Sequence, residues 1–234
     1  MMKREVLTSG KASFKIEVPY KLIETGEKKE KPLIVYLHGF RQHINRFQDL
    51  VSDLLQIEAY HLFIQGPYPI YEQSDKRKVE DWGRAWYLYD GDQGQFAKSL
   101  ELTAEFIQDL IDNMLNHISA SRLCLFGYSM GAYQAGYFAL SRWKHVNELV
   151  MVGGRLKTEL FENGEHNYGH LNILALHGKN DETVKAIPQK SSIKKVEEWG
   201  ANVLFKELNE GHKLVRSYTT TTSKWLVPLG YKSL

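Results

Sequence analysis

A serine flanked by two glycines is the first feature of the sequence that could do chemistry. Gly127 to Gly131 reads Gly-Tyr-Ser-Met-Gly, and it lies between an apolar run and a segment with helical spacing. A serine on such a sharp strand-to-helix turn has a strained backbone. Side chains at the two flanking positions would collide there, so glycine is favoured at both. The turn would expose the Ser129 hydroxyl and aim the Met130 N–H at a developing oxyanion. The pattern predicts a nucleophile; a capping serine in a glycine-rich turn is the alternative.

A nucleophilic hydroxyl needs a general base, and that base needs an orienting carboxylate. In the fold that carries such turns, the acid and then the histidine follow the serine along the chain. Asp181 follows the apolar run Ile173–Leu176, and His212 follows the run Val203–Leu208 across a short loop. Both positions are C-terminal ends of strands, where open sheets place their sites. We therefore expect Asp181 as the acid and His212 as the base, with Glu182 as the neighbour that could replace Asp181.

Two further segments are candidates for binding the substrate. His38-Gly39-Phe40 follows the first buried run, at the loop position that this fold uses for a second oxyanion donor, here the N–H of Phe40. The alternative is a tight turn in which the His38 ring only makes structural hydrogen bonds. The long segment 68–94 is rich in aromatic residues and has no clear period. Its Trp82 and Trp86 either line an acyl pocket or fill the interior of the loop, and the sequence leaves both possibilities open.

Composition and charge exclude several classes of protein. With 30 Lys and Arg against 28 Asp and Glu, the net charge is +2, which is too small a surplus for a nucleic-acid binder. The single cysteine, Cys124, lies in an apolar run and allows no internal disulfide, which fits a reducing compartment. No stretch is long and apolar enough to predict a membrane segment, so we expect a cytoplasmic protein. His166 and His170 have the spacing of metal ligands, but flanking glycines and the lack of a third ligand favour a loop, so neither metal nor organic cofactor is expected.

The pattern of apolar residues predicts the elements that must position these groups. Leu33–Leu37 is a continuous apolar run, as in strands buried on both faces of a parallel sheet, and helical spacing is clearest over 106–118. Ser13–Val18 alternates and predicts an edge strand that ends at Pro19. Strands alternate with helices throughout, which predicts an α/β fold with a mostly parallel, open twisted sheet and helices on both faces. No linker divides residues 1–234, so we expect one domain.

Five segments together resemble the phospholipase/carboxylesterase family of α/β-hydrolases, whose members include acyl-protein-thioesterase-like enzymes. In chain order they read LHGF at 37–40, GRAWY at 83–87, GYSMG at 127–131, HGKND at 177–181 and GH at 211–212. The resemblance implies an α/β-hydrolase fold with a catalytic triad of Ser129, Asp181 and His212. It also implies Phe40 and Met130 as backbone oxyanion donors and places Trp86 beside the cleft. Met130 stands where the family usually has glutamine, a change that leaves a backbone donor intact.

The resemblance and the candidate residues imply a serine hydrolase that cleaves carboxylic esters through an acyl-enzyme. A long-chain substrate would need an exposed apolar groove, and a mean hydropathy of -0.40 does not indicate a strongly apolar surface. We therefore favour esters of short to medium acyl chain. The same chemistry on a thioester or a lysophospholipid is the alternative, and a non-catalytic binding relative is a third. The expected partner is therefore a small-molecule ester or thioester.

Overall fold

The strands and helices alternate along the chain in the computed structural model, which describes residues 8–10, 12, 15–71, 78–164 and 167–234. The strands are β1 Tyr20–Glu24, β2 Glu30–Leu37, β3 Tyr60–Ile64, β4 Tyr68–Pro69, β5 Arg84–Ala85, β6 Ser119–Tyr128, β7 Glu148–Val152, β8 Asn172–Gly178 and β9 Asn202–Leu208. The helices are α1 Ile44–Leu50, α2 Gln93–Leu115, α3 Met130–Ser141, α4 Ala186–Glu198 and α5 Arg216–Leu226.

Seven of the strands form one twisted sheet in the order β1-β3-β2-β6-β7-β8-β9. Every neighbouring pair in this sheet is parallel except β1 with β3, which is antiparallel. The apolar run of β2 is buried along its length because helices cover both faces of the sheet. The predicted α/β fold with a mostly parallel sheet is therefore confirmed.

The two faces of the sheet carry separate apolar layers. On one face, α2, α3 and α4 contribute Ile107, Ala135 and Val196 to a buried cluster with the strands. On the other face, α1 and α5 contribute Phe47 and Tyr218. Because the six parallel strands β2, β3, β6, β7, β8 and β9 end at the same edge, the loops that follow them are brought together there.

The predicted edge strand Ser13–Val18 is wrong. Ser13 and Phe14 lie outside the described residues, residues 15–19 are not in a strand, and the edge strand β1 begins at Tyr20. Pro19 precedes the strand rather than ending it, and its carbonyl accepts the Gln65 N–H at 3.0 Å just beyond the last paired residues. Proline has no N–H for the ladder, so it suits the first position outside an edge strand.

The described parts of the segment 68–94, residues 68–71 and 78–94, contain more regular structure than the sequence indicates. They contain the short antiparallel pair β4 and β5, and α2 begins inside them at Gln93, well before the predicted start at residue 106. Asp92 caps this helix, since its side chain accepts the Gln95 N–H at 2.8 Å. The buried face of the first turns of α2 mixes apolar and polar residues, which weakens the apolar period there: Phe96, Ser99, Leu100, Thr103 and Ala104. No described helix has the length and apolar character needed to span a bilayer.

Candidate active site

The turn between β6 and α3 holds Ser129 in a strained conformation, with φ of 51° and ψ of -117°. The flanking glycines make this turn possible. A Cβ on Gly127 would lie 2.5 Å from the carbonyl oxygen of Gly131, and a Cβ on Gly131 would lie 2.2 Å from that of Leu37. The Ser129 N–H donates to the Val152 carbonyl at 2.8 Å and so ties the turn to the end of β7. Strain of this kind is found mainly where surrounding structure enforces it, as at active sites.

Ser129, His212 and Asp181 form a continuous hydrogen-bonded chain. The Ser129 Oγ lies 2.9 Å from His212 Nε2, and His212 Nδ1 lies 2.8 Å from Asp181 Oδ2. An ionised Asp181 can only accept a hydrogen bond, so the imidazole proton sits on Nδ1 and leaves Nε2 free to accept the serine proton. The arrangement is that of a nucleophile, a general base and its orienting acid.

The Asp181 carboxylate is held on both of its oxygens. Its Oδ1 accepts the N–H groups of Thr183 at 2.9 Å and Val184 at 2.8 Å, while Oδ2 faces His212. Burial acts to raise the pKa of Asp181, but the hydrogen bonds from Val184 and His212 outweigh it, and the pKa lies below its usual range. Asp181 is buried whereas Glu182 is exposed, and Asp181 is the one of the two that bonds His212.

The two candidate oxyanion donors lie at the same cavity as the serine. Met130 is the first residue of α3, so its N–H has no carbonyl one turn earlier to bond. Phe40 sits in a tight turn in which the Gly39 N–H donates to Gln42 Oε1 at 2.8 Å and the Gln42 N–H returns to the Gly39 carbonyl at 3.2 Å. Phe40 and Met130 line the cavity together with Ser129. Stabilising a developing oxyanion by hydrogen bonds from two backbone N–H groups is common in acyl-transfer enzymes.

Trp86 lies in the core rather than on the cavity wall, which supports the second of the two alternatives left open for it. Its side chain is completely buried, and its indole N–H donates to the His38 carbonyl at 2.7 Å. Trp82 is also absent from the cavity lining; its ring packs edge-on against Tyr71, with the centroids 4.9 Å apart. The structure therefore favours the loop interior for Trp86, whereas Trp82 is half-buried and lies away from the cavity lining.

The His38 ring forms hydrogen bonds that support the turn after β2. Its Nδ1–H donates to the Gly39 carbonyl at 2.7 Å, and its Nε2 accepts the Gly66 N–H at 3.0 Å. Burial lowers the pKa of His38 from 6.5 to about 4, so the ring is neutral at pH 7. A neutral ring with both nitrogens engaged fixes the start of the loop that carries Phe40.

The cavity above Ser129 has a volume of about 450 Å³. Its other walls come from elements that are far apart in the sequence, and sequence reasoning did not select their side chains: Tyr87, Tyr89, Gln93, Phe96, Tyr133, Arg155, Lys157 and Val184. Tyr133 was the easiest to find, because it follows Met130 by one helical turn. Arg155 was also within reach, since it comes directly after β7 and two glycines at the active edge of the sheet.

The histidines considered as metal ligands are only partly described. His166 lies outside the described residues, so the structure does not describe its pairing with His170. Within the described ranges, no group of three or more His, Cys, Asp or Glu side chains is placed to hold a metal ion.

A mostly parallel, helix-covered sheet with a serine on a sharp turn after a central strand defines the class of α/β-hydrolase folds. The model of the Phospholipase/Carboxylesterase family matches residues 18–226, and the chain belongs to that family. The members of this family, and the structural neighbours described below, are esterases and related hydrolases. A comparison with curated proteins gives no significant match.

Solved structures share this fold at low sequence identity. The Bacillus cereus carboxylesterase is 18% identical, has a TM-score of 0.73, and the match covers 90% of this chain and 94% of that one. A carboxylesterase from Mesorhizobium loti is 18% identical with a TM-score of 0.71, over 90% and 94%. Acyl-protein thioesterase 2 from Zea mays is 20% identical with a TM-score of 0.68, over 90% and 98%.

Proposed function

We propose that this hydrolase uses Ser129 as a nucleophile to cleave carboxylic esters of short to medium acyl chain. The observation that carries the proposal is the chain of two short hydrogen bonds, 2.9 Å from Ser129 to His212 and 2.8 Å from His212 to Asp181, at the floor of a cavity. The proposal treats residues 1–234 as one hydrolase domain that needs no cofactor. A reducing compartment such as the cytoplasm fits its single, buried cysteine.

In the first half of the proposed reaction, Ser129 Oγ attacks the ester carbonyl carbon while His212 Nε2 takes the hydroxyl proton. The tetrahedral oxyanion accepts hydrogen bonds from the N–H groups of Phe40 and Met130. Asp181 keeps the proton of His212 on Nδ1 and stabilises the imidazolium. When the C–O bond to the alcohol breaks, His212 returns its proton to the leaving oxygen, and an acyl-enzyme remains.

Water completes the cycle. His212 Nε2 takes a proton from a water molecule that attacks the acyl carbonyl, and the same two N–H groups hold the second oxyanion. Collapse of this intermediate returns the proton to Ser129 Oγ and releases the carboxylic acid. No redox partner or second substrate beyond water is required.

The cavity supports a short to medium chain. A volume of about 450 Å³ is within the usual range for small-molecule pockets, and the rings of Tyr87 and Phe96 form an apolar wall, with centroids 4.7 Å apart. The similarity to the maize acyl-protein thioesterase makes thioester hydrolysis by the same residues the second candidate. A non-catalytic binding role is disfavoured because all three groups stand in hydrogen-bonding order.

The test is labelling with a fluorophosphonate, followed by kcat/KM for 4-nitrophenyl esters of increasing acyl length. We expect covalent modification at Ser129 and a maximum at short to medium chains. Loss of the nucleophile costs about 10⁶ in kcat in a comparable triad, so Ser129→Ala should be inactive. Ser141→Ala is the matched control, because that hydroxyl bonds within α3 at the Phe138 carbonyl. A folded Ser129→Ala variant that keeps more than about a tenth of the activity would refute the proposal.

A further inference from the structure

The wall of the active-site cavity carries an excess of positive charge. Arg155 and Lys157 both line the cavity, and one carboxylate, Glu159, contacts both. The Arg155 Nη2 lies 2.8 Å and 2.9 Å from the two Glu159 oxygens, and the Lys157 Nζ lies 2.5 Å from one of them. Two cations share one anion, so the cluster retains a net charge of about +1, whereas an acyl pocket for neutral esters needs none.

The backbone places this charge next to the turn that carries the nucleophile. β7 ends at Val152, whose carbonyl accepts the Ser129 N–H, and only Gly153 and Gly154 separate that residue from Arg155. Gly154 is packed against the nucleophile's own turn, because a Cβ built on it would meet the Ser129 carbonyl oxygen at 3.1 Å. The backbone therefore delivers Arg155 directly from the edge of the sheet to the cavity.

Of the two cations, Lys157 is the one that is well shielded from solvent, whereas the Arg155 side chain is 31% exposed, close to its partner Glu159. The Lys157 side chain is 12% exposed against 39% for Glu159, and its Nζ lies 5.5 Å from the centroid of the Phe96 ring on the cavity wall. The Arg155 Nε is buried and donates to no group in the described part of the chain. A buried donor left unpaired is costly, so the Arg155 guanidinium keeps hydrogen-bonding capacity that Glu159 does not use.

We propose that this cavity selects esters that carry an anionic group, such as a carboxylate, on the same molecule as the scissile bond. Arg155 and Lys157 act as specificity-determining residues that bind the anion, while the aromatic wall contacts the carbon chain. The inference rests on the proposed ester hydrolysis at Ser129 and deepens it by naming the substrate class. A purely structural ion pair with Glu159 is the competing explanation, and the experiment separates the two.

The experiment compares two pairs of esters that differ in charge but match in shape. Monomethyl succinate and methyl 4-methylpentanoate place the anion, or its branched hydrocarbon equivalent, on the acyl side. Acetoxyacetate and isobutyl acetate do the same on the alcohol side. The readout is the ratio of kcat/KM, anionic over neutral, measured from product release. Taking a ratio within each variant cancels any general damage to the enzyme.

The wild type should prefer the anionic member of at least one pair, and raising the salt concentration should reduce that preference. Lys157→Met and Arg155→Gln should each lower the ratio by about ten- to a hundredfold, as expected for one charge-assisted hydrogen bond. Lys224→Met is the matched control, because Lys224 is exposed on α5 on the other face of the sheet, and its ratio should equal that of the wild type.

Two different failures can be told apart. If the wild type hydrolyses the neutral esters but prefers them in both pairs, the inference is overturned while ester hydrolysis stands. An anionic preference that survives both Lys157→Met and Arg155→Gln would equally overturn it, since the charge would then act from elsewhere. If no ester is cleaved and a fluorophosphonate does not label Ser129, the proposed function itself fails. Should a variant fold poorly, the salt dependence of the wild-type ratio decides.

Discussion

The indole N–H of Trp86 donates a hydrogen bond of 2.7 Å to the backbone carbonyl of His38. His38 opens the loop that carries Phe40, the proposed oxyanion donor, and its ring lies 5.0 Å from the Trp86 ring. The Trp86 carbonyl in turn accepts the Thr103 hydroxyl of α2 at 2.7 Å. Trp86 thereby joins the long helix α2 to the loop that carries Phe40, and any effect on the proposed reaction is expected to pass through the backbone that it positions.

This relationship predicts the effect of Trp86→Phe, which keeps an aromatic ring but removes the donor. The buried His38 carbonyl would lose its partner at a cost of about 1–3 kcal/mol, which lowers Tm by roughly 2–10 °C for a chain of this size. We expect kcat/KM to fall by a similar factor for every acyl length, because Trp86 is buried and does not line the cavity. Calorimetry and kcat/KM over three chain lengths test this.

Trp225→Phe is the control for that experiment, since Trp225 packs, partly buried, on the opposite face of the sheet. It should leave activity unchanged. If Trp86→Phe changed the ranking of kcat/KM among esters of different chain length, the positioning role would be contradicted. Trp86 would then have to be assigned to substrate binding.

The hydrogen-bonded chain at Ser129 could be predicted from the sequence because its members follow local rules. The glycines beside Ser129 are required by the turn itself, as the close approach of Gly131 to the Leu37 carbonyl demonstrates. Asp181 and His212 each follow the end of a strand, and parallel strands bring their ends to one edge of the sheet. The order of residue types along the chain was therefore enough to select them.

The walls of the cavity could not be predicted in the same way. Phe96 and Tyr133 belong to different helices, and which faces of α2 and α3 meet above the serine depends on packing that no local pattern records. Trp86 and Tyr87 are neighbours in the sequence, yet one is buried and the other lines the cavity. In an irregular segment, where no period says which side chain faces inwards, aromatic content alone does not separate a core residue from a binding residue.

Asp181→Asn should keep the shape of the site but change the tautomer of His212. An asparagine amide can donate to Nδ1, which moves the ring proton to Nε2 and removes the base, and a comparable change in another serine hydrolase costs about 10⁴ in kcat. Glu182→Gln is the matched control, because Glu182 is exposed. Steady-state kinetics of both variants test the assignment, and Glu182→Gln being the more damaging would reassign the acid.

Gly131→Ala should disrupt the turn that carries Ser129. Its new Cβ would stand 2.2 Å from the Leu37 carbonyl oxygen and 2.5 Å from that of His38, both backbone atoms that cannot move without shifting the oxyanion loop. We expect a loss of about 1–3 kcal/mol or more in unfolding free energy, together with most of the activity. Urea denaturation and ester hydrolysis measure the two effects.

Gly94→Ala is the control for that substitution, since Gly94 is exposed in the first turn of α2. The nearest atom to its Cβ would be a side-chain oxygen of Asp92 at 3.3 Å, and alanine favours helix over glycine. Stability and activity should be retained. Equal losses in the two alanine variants would mean that the tight contacts at Gly131 do not shape the turn.

The buried histidines predict a loss of stability in mild acid. Burial lowers the pKa of both His38 and His61 from 6.5 to about 4. The His61 ring is enclosed by hydrogen-bonding groups, with Tyr36 Oη 2.9 Å from Nδ1 and Thr25 Oγ1 2.9 Å from Nε2. Between pH 6.5 and pH 4 these two histidines are protonated in the unfolded chain but remain neutral in the folded protein. The unfolding free energy therefore falls as the pH drops through this window, by up to about 1.4 kcal/mol per pH unit for each histidine.

His61→Gln removes one of these two buried histidines, so the unfolding free energy of the variant should fall less steeply between pH 6.5 and pH 4 even though it starts lower at pH 7. The expected difference in slope approaches about 1.4 kcal/mol per pH unit, measured by urea denaturation at intervals of half a unit. His145→Gln is the control, because that ring is exposed, and its curve should run parallel to the wild type. Carboxylates whose folded pKa is depressed, such as Asp181, add their own loss at lower pH, and they do so equally in all three proteins. If the His61→Gln curve ran parallel to the wild type across the window, His61 would already be protonated in the folded protein, and the burial argument for it would fail.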